Sequence, residues 1–267
     1  MSVGIITGSG TYALPGFDAG EPETIGTPFG ETAVTKGTYA GVDALHISRH
    51  GSGHFRLSNQ VNHRANIWAL KELGARAAIG CTACGAADPA LDLGELVVFD
   101  DLHFPANRLP DGSICSMFVE PGDPARGHWI LHGGPYSAEV RETLVTATRD
   151  AGHRVRDGGV YGHVDGPRFN TPTEIAQLRA CGVSAVSQTA GPETVLCGEL
   201  ELPYALIGFV TDYANEVKPS EPTSVAELIE LMGTSTAIFA EVLRSALPRI
   251  AAADPRPAGS VYRFAQG

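Results

Sequence analysis

Short apolar runs punctuate the chain at Val3–Thr7, Val42–Ser48, Ala77–Cys81, Leu96–Phe99, Gly159–Val164, Ala185–Ser187 and Tyr204–Val210, and each reads as a buried strand. Between several of them the apolar positions recur at helical spacing. Ser58 is placed to cap a helix running to about Leu73 and stopped by Gly74, with Val61, Ala65 and Trp68 on one side. Ser137 opens a second helix that stops near Gly152. Thr171-Pro172-Thr173-Glu174 has capping-box spacing with proline at the first helical position, and Gly182 closes that helix. Ser224-Val225-Ala226-Glu227 repeats the signature before a long amphipathic stretch ending near Pro248. Strands alternating with helices predict an α/β fold: a single domain, residues 1–267, with a central mixed, mostly parallel β-sheet flanked by helices. There is no internal repeat. The segment 104–134, rich in proline, glycine and polar residues, reads as an excursion from the sheet.

Polar chemistry collects where the strands stop. Gly8-Ser9-Gly10 follows the first run, Arg49-His50-Gly51 the second and Thr82-Ala83 the third. Thr189 follows "SAVS", and Thr211-Asp212 ends the last run. Ligands of covered α/β sheets bind at such strand ends. Hydroxyls, one guanidinium, one imidazole and glycine backbone N–H groups together form the chemistry of a phosphate cradle, Arg49 offering a bidentate contact. It is not a P-loop, because no Gly-Lys-Ser/Thr follows the glycines.

Composition narrows the partners. A formal net charge of −11 argues against nucleic acid, whose phosphates need clustered Lys and Arg. No apolar stretch is long enough to span a membrane, and "MSVGIITGSG" has no basic leader. Five cysteines without framework spacing suit a reducing cytoplasm. Three motifs are set aside. "GSGTYA" matches a dinucleotide fingerprint, but Pro15-Gly16 would break the helix it requires. "CTAC" lacks a second pair to complete a zinc site. "HWILH" lacks the glutamate of a zinc protease. No metal is expected.

The motifs "GIITGSG", "SRHGSGH", "VNHRANIWALKELGA", "TACGA", "DGPRFNTPTE", "SQTAGPETVLCGEL" and "VTDYAN" occur in the order and spacing of the trimeric purine nucleoside phosphorylases. Over residues 4 to about 215 the chain resembles that superfamily, most closely its methylthioadenosine phosphorylase branch. The resemblance implies phosphorolysis of a purine nucleoside, 5′-methylthioadenosine or a related 5′- or sugar-modified 6-aminopurine nucleoside. Products are the free base and a pentose 1-phosphate. Inorganic phosphate is the co-substrate, no cofactor is needed, and the assembly is a homotrimer or a dimer of trimers. Ser9, Arg49, His50, Thr82, Ala83 and Thr189 match the family's phosphate contacts. Phe169, Asn170, Thr211 and Asp212 match its base site, with Asp212 as the catalytic acid toward purine N7. Gln188 matches the residue against the ribose. His128 or Trp129 matches a 5′-pocket residue lent by a neighbouring subunit.

Three departures bear on the substrate. Gln188 stands where the family usually has Met. Ala214 stands where the adenosine-type branch has a second Asp. Asn170 stands where the adenine-reading branch has Ser and the 6-oxopurine branch Glu, and its amide can satisfy either base. A 6-oxopurine nucleoside phosphorylase (inosine or methylthioinosine) and a non-catalytic nucleoside-binding homologue are the alternatives.

Overall fold

The computed structural model describes residues 1–220 and 222–264. The apolar run after Met1 forms β1 (Ser2–Thr7), followed by β2 (Asp18–Ala19), β3 (Glu23–Thr27), β4 (Gly30–Tyr39) and β5 (Val42–Ser48). Then come α1 (His63–Glu72), β6 (Ala75–Ala86), β7 (Leu96–Val98), β8 (Asp101–His103), β9 (His128–Ile130) and α2 (Ala138–Asp150). The remainder is β10 (Val155–Asp157), β11 (Val160–His163), α3 (Pro172–Ala180), β12 (Val183–Ser187), α4 (Ala190–Glu199), β13 (Tyr204–Tyr213), α5 (Val225–Ala253) and β14 (Ser260–Tyr262). The expected α/β architecture is present, and the last three residues of the expected domain lie outside the described residues.

One mixed sheet organises the molecule, in the order β10-β7-β13-β6-β1-β5-β4-β2. Its centre, β13-β6-β1-β5, is parallel throughout. The alternation of side chains along β13 explains why that strand is apolar on both faces. Ala205, Ile207 and Phe209 enter the layer under α2 and α5, while Tyr204, Leu206 and Val210 enter the layer under α1 and α4. β6 outlasts β1: its first half pairs with β1, and its end pairs with β12 while β13 accompanies it to Ala86. The sheet therefore opens a cleft beside the ends of β1, β6 and β13.

Helix boundaries differ from expectation at three places. Residues 58–60 form a single 3₁₀ turn, and α1 starts at His63, capped by Asn62, whose side chain accepts from the Ala65 N–H at 3.2 Å. The Ser58 hydroxyl is committed elsewhere, to Gln188. α5 runs past Pro248 to Ala253. α4 was not expected at all. Nearly all its residues are buried, so it lacks the polar face by which a helix is recognised in sequence. Its two glycines are contact points, Gly191 against the His163 ring and Gly198 against the Trp129 indole. In the excursion, the "HWILH" segment contributes β9, paired with β14. Cys81 and Cys84 belong to the cores on opposite faces of the sheet, so they cannot act together.

Candidate active site

A cavity of about 700 Å³ lies over these strand ends. Ser9, Arg49, His50, Thr82, Ala83, Thr189, Phe169, Asn170, Gln188, Thr211 and Asp212 all line it, and so does Ala214. His128 and Trp129 are not in its wall. Trp129 is tied to its own chain by an indole N–H donated to the Ala258 carbonyl at 2.8 Å, and His128 lies against Phe264.

Arg49 extends from the end of β5 and its side chain is completely buried. Its fork meets a residue that the sequence reading passed over. Nε and Nη2 donate to the two carboxylate oxygens of Glu193 at 2.6 and 2.8 Å, and Nη1 donates to the Cys81 carbonyl at 2.8 Å. Nη2 also makes a long 3.5 Å contact to the Ile6 carbonyl. Of the five N–H donors of a guanidinium, one on Nη1 is left. The expected bidentate grip on phosphate is thus corrected: the two-point face is spent inside the chain, because a buried cation needs a permanent counter-charge. Tyr204 adds a hydroxyl donated to Glu193 at 3.1 Å. A lone glutamate inside the apolar stretch "TAGPETVLCG" was the available signal. The Nη1 edge faces Gly8, where a Cβ would approach it to 2.5 Å. Glycine at position 8 is what lets the first loop close over the guanidinium.

His50 stacks on His54 with ring centroids 4.3 Å apart, and its Nδ1 lies 2.9 Å from the Arg56 carbonyl. A carbonyl only accepts, so the proton sits on Nδ1 and Nε2 carries the lone pair. Burial, with the adjacent Arg49 charge, lowers this imidazole to about 4. It is neutral at pH 7. Thr82 shares a 2.9 Å hydrogen bond with Ser187, and Thr189 occupies the N-cap of α4 without making a side-chain cap. The positive end of that helix adds a fixed partial charge beside the hydroxyls.

At the other end of the cavity the register of β13 slips against β6. Val210 pairs with Cys84 and Asp212 with Gly85, leaving Thr211 as the extra residue of a β-bulge. The bulge accounts for the abrupt change from apolar strand to Thr211-Asp212. It turns the carboxyl toward Gly85, where a side chain would meet Asp212 Oδ2 at 2.9 Å. Thr211 donates to Asp212 Oδ1 at 2.8 Å. Burial raises the Asp212 pKa, and the threonine hydrogen bond opposes it more weakly. Beside it, Asn170 donates its amide to Glu174 at 3.2 Å. Phe169, 70% exposed, forms the lip.

The first turns of α5 supply a further wall that the sequence reading missed: Val225, Leu228 and Met232 line the cavity. The helix is bound to the first loop by Thr236, which donates to the Gly10 carbonyl at 2.8 Å. An apolar stripe at the start of a long helix is ordinarily core, so its sequence pattern carried no sign of a ligand.

Comparison with known proteins places this geometry. A 6-oxopurine nucleoside phosphorylase of Pyrococcus furiosus is 33% identical over 252 residues, 93% of this chain and 92% of the relative. An S-methyl-5′-thioadenosine phosphorylase of Geobacter sulfurreducens is 31% identical over 265 residues, 98% and 90% of the two chains. The structure of methylthioadenosine phosphorylase from Schistosoma mansoni in complex with adenine superposes with a TM-score of 0.84 at 28% identity, covering 94% of this chain and 92% of that one. The model of the phosphorylase superfamily matches residues 2–248, and with nearly the whole length accounted for, the chain belongs to that superfamily.

Proposed function

We propose that the protein catalyses phosphorolysis of a purine nucleoside, and that the base is a 6-oxopurine. The reaction rests on one observation: residues carried within β6 and β13 and on the loops after β1, β5 and β12, suited to phosphate at one end and to a purine base at the other, converge on a single cavity. A phosphate oxygen attacks C1′ as the C1′–N9 bond breaks, and the electron pair flows into the purine. Asp212, whose protonated form burial favours, donates its proton to N7. The Thr82 and Thr189 hydroxyls and the end of α4 hold the phosphate beneath the sugar, with the buried Arg49 charge behind them, and the phosphate's own charge stabilises the oxocarbenium-like transition state.

The 6-oxopurine reading is supported by the likeness to a 6-oxopurine nucleoside phosphorylase and by the residue at position 214. With one amide N–H donating to Glu174, Asn170 keeps its carbonyl oxygen and a second N–H. The carbonyl suits the N1–H of a 6-oxopurine and the second N–H suits N1 of adenine, so Asn170 by itself does not choose between them. Ala214, 7% exposed, offers nothing to a 6-amino group. The 6-aminopurine preference implied by the resemblance becomes the second reading, favoured by the likeness to the adenine complex. Val225, Leu228 and Met232 suit an apolar 5′ substituent such as an alkylthio group. In the trimer that belongs to this proposal, exposed His128 rather than the internally bonded Trp129 is the residue available to a neighbour.

The test is release of free base from inosine, methylthioinosine, adenosine and methylthioadenosine, with and without phosphate. Phosphate-dependent release, faster from the two 6-oxopurines, is expected. No release, or release indifferent to phosphate, refutes the reaction; faster release from the 6-aminopurines refutes the base assignment.

A further inference from the structure

Gln188 sits at the joint between the two halves of the cavity, and both ends of its amide are engaged by protein. Its Oε1 accepts from the Ser58 hydroxyl at 2.8 Å, and its Nε2 donates to the Arg168 carbonyl at 3.1 Å. Ser58 belongs to the 58–60 turn that follows the Arg49-His50 loop. Arg168 begins the base-reading loop carrying Phe169 and Asn170. The third member of the lock is Gly166: a Cβ there would overlap both the Gln188 carboxamide and the Ser58 hydroxyl, so the absence of a side chain is what lets the three meet. The loop's other anchors lie elsewhere. Arg168 makes a two-point ion pair with Glu174 at 2.7 and 2.8 Å, and Asn215 donates to the Asn170 carbonyl at 3.3 Å. Among these, the Gln188 bridge is the one that reaches the phosphate side of the cavity. A thioether at this position could make neither hydrogen bond.

We propose that Gln188 is a positioning residue that clamps the base-reading loop to the 58–60 turn and so sets the distance between bound base and bound phosphate. The base contacts of Phe169 and Asn170 then depend on an amide that need not touch the base. This inference rests on the phosphorylase reading for its kinetic part, and its backbone part is measurable without turnover.

Gln188→Met and Ser58→Ala each remove the bridge, one from each side. Each is expected to raise the KM for nucleoside about three- to tenfold, the ratio that loss of one or two net hydrogen bonds produces. The KM for phosphate stays within about twofold. The double variant is expected to be no worse than the weaker single, because one bridge is being removed twice. In ligand-free protein, amide hydrogen exchange over 165–170 is expected to rise about tenfold in both variants while exchange in β6 is unchanged. If wild-type protein releases no base, the phosphorylase reading fails and the exchange experiment still decides the clamp. Unchanged exchange at 165–170 overturns the proposal. So does a Gln188→Met penalty that vanishes on 2′-deoxyinosine while Ser58→Ala is silent, for that pattern belongs to direct reading of a sugar hydroxyl.

Discussion

Replacing Glu193 with Gln tests the electrostatic logic of the phosphate end. The wild-type pair is completely buried on both sides, with the shorter contact at 2.6 Å. Gln keeps the volume and one acceptor but leaves the Arg49 charge without a counter-ion. Breaking one side of a buried pair costs about 3–5 kcal/mol. For 267 residues the unfolding entropy at the midpoint is about 0.56 kcal/mol/K. The expected fall in Tm of phosphate-free protein is therefore about 5–9 °C. Phosphate is expected to offset part of the loss, because Arg49 lines the cavity and a dianion bound there supplies negative charge near the uncompensated guanidinium. At one hundred times its Kd, a ligand contributes about 2.7 kcal/mol, or about 5 °C on this scale. A variant that binds phosphate about tenfold more tightly gains a further 2–3 °C or so. The assay is calorimetry or fluorescence-detected melting of both proteins across a phosphate series at one protein concentration. A variant Tm within about 1 °C of wild type would show that the pair contributes little. A phosphate shift no larger than that of wild type would show that the cavity does not deliver an anion to Arg49.

Three other perturbations probe the remaining parts. Asp212 has its pKa raised by burial above the ordinary carboxyl value of 3.8, so its neutral form is favoured by the fold. Its contribution to stability is complete below that value and is lost as pH rises through the raised one, and the acid needed for turnover is lost over the same window. Asp212→Asn, a permanent donor, should flatten the fall of both unfolding free energy and kcat/KM for inosine as pH rises; an unchanged fall removes Asp212 from the acid role. Ala214→Asp restores an acceptor for a 6-amino group and should move the adenosine-to-inosine ratio of kcat/KM about tenfold toward adenosine, the worth of a hydrogen bond to a charged group; an unmoved ratio refutes the account of the base site. Gly8→Ala brings a methyl to 2.5 Å from Arg49 Nη1. With the guanidinium held by Glu193, the KM for phosphate should rise on the order of tenfold with nucleoside KM unaffected, and equal changes in both would contradict the local displacement.

Much of the architecture was legible because strands and helices announce themselves through spacing and caps. The capping boxes at Thr171 and Ser224 formed as read. The boundary errors have local causes. Ser58 looks like a cap until its hydroxyl finds Gln188, 130 positions away in the chain. Asn62 takes over the helix start. α4 escaped because burial on all sides erases amphipathic periodicity, and its glycines and proline argue against a helix unless the rings packed on them are known.

The candidate site divides in the same way. Residue type, taken with the parallel pairing of β5, β1, β6 and β13, was sufficient to gather Ser9, Arg49, Thr82 and Asp212 toward one edge, whereas Thr189 follows β12, which runs antiparallel to β6. What those side chains face was decided in three dimensions. The bulge at Thr211 that aims Asp212, the Glu193 carboxylate that occupies the fork of Arg49, and the α5 wall of Val225, Leu228 and Met232 all depend on contacts between distant segments. Local sequence sets a residue's backbone preference and its chemistry. Which of its donors and acceptors stay available to a ligand is set by the neighbours that satisfy the others, and folding alone brings those neighbours together.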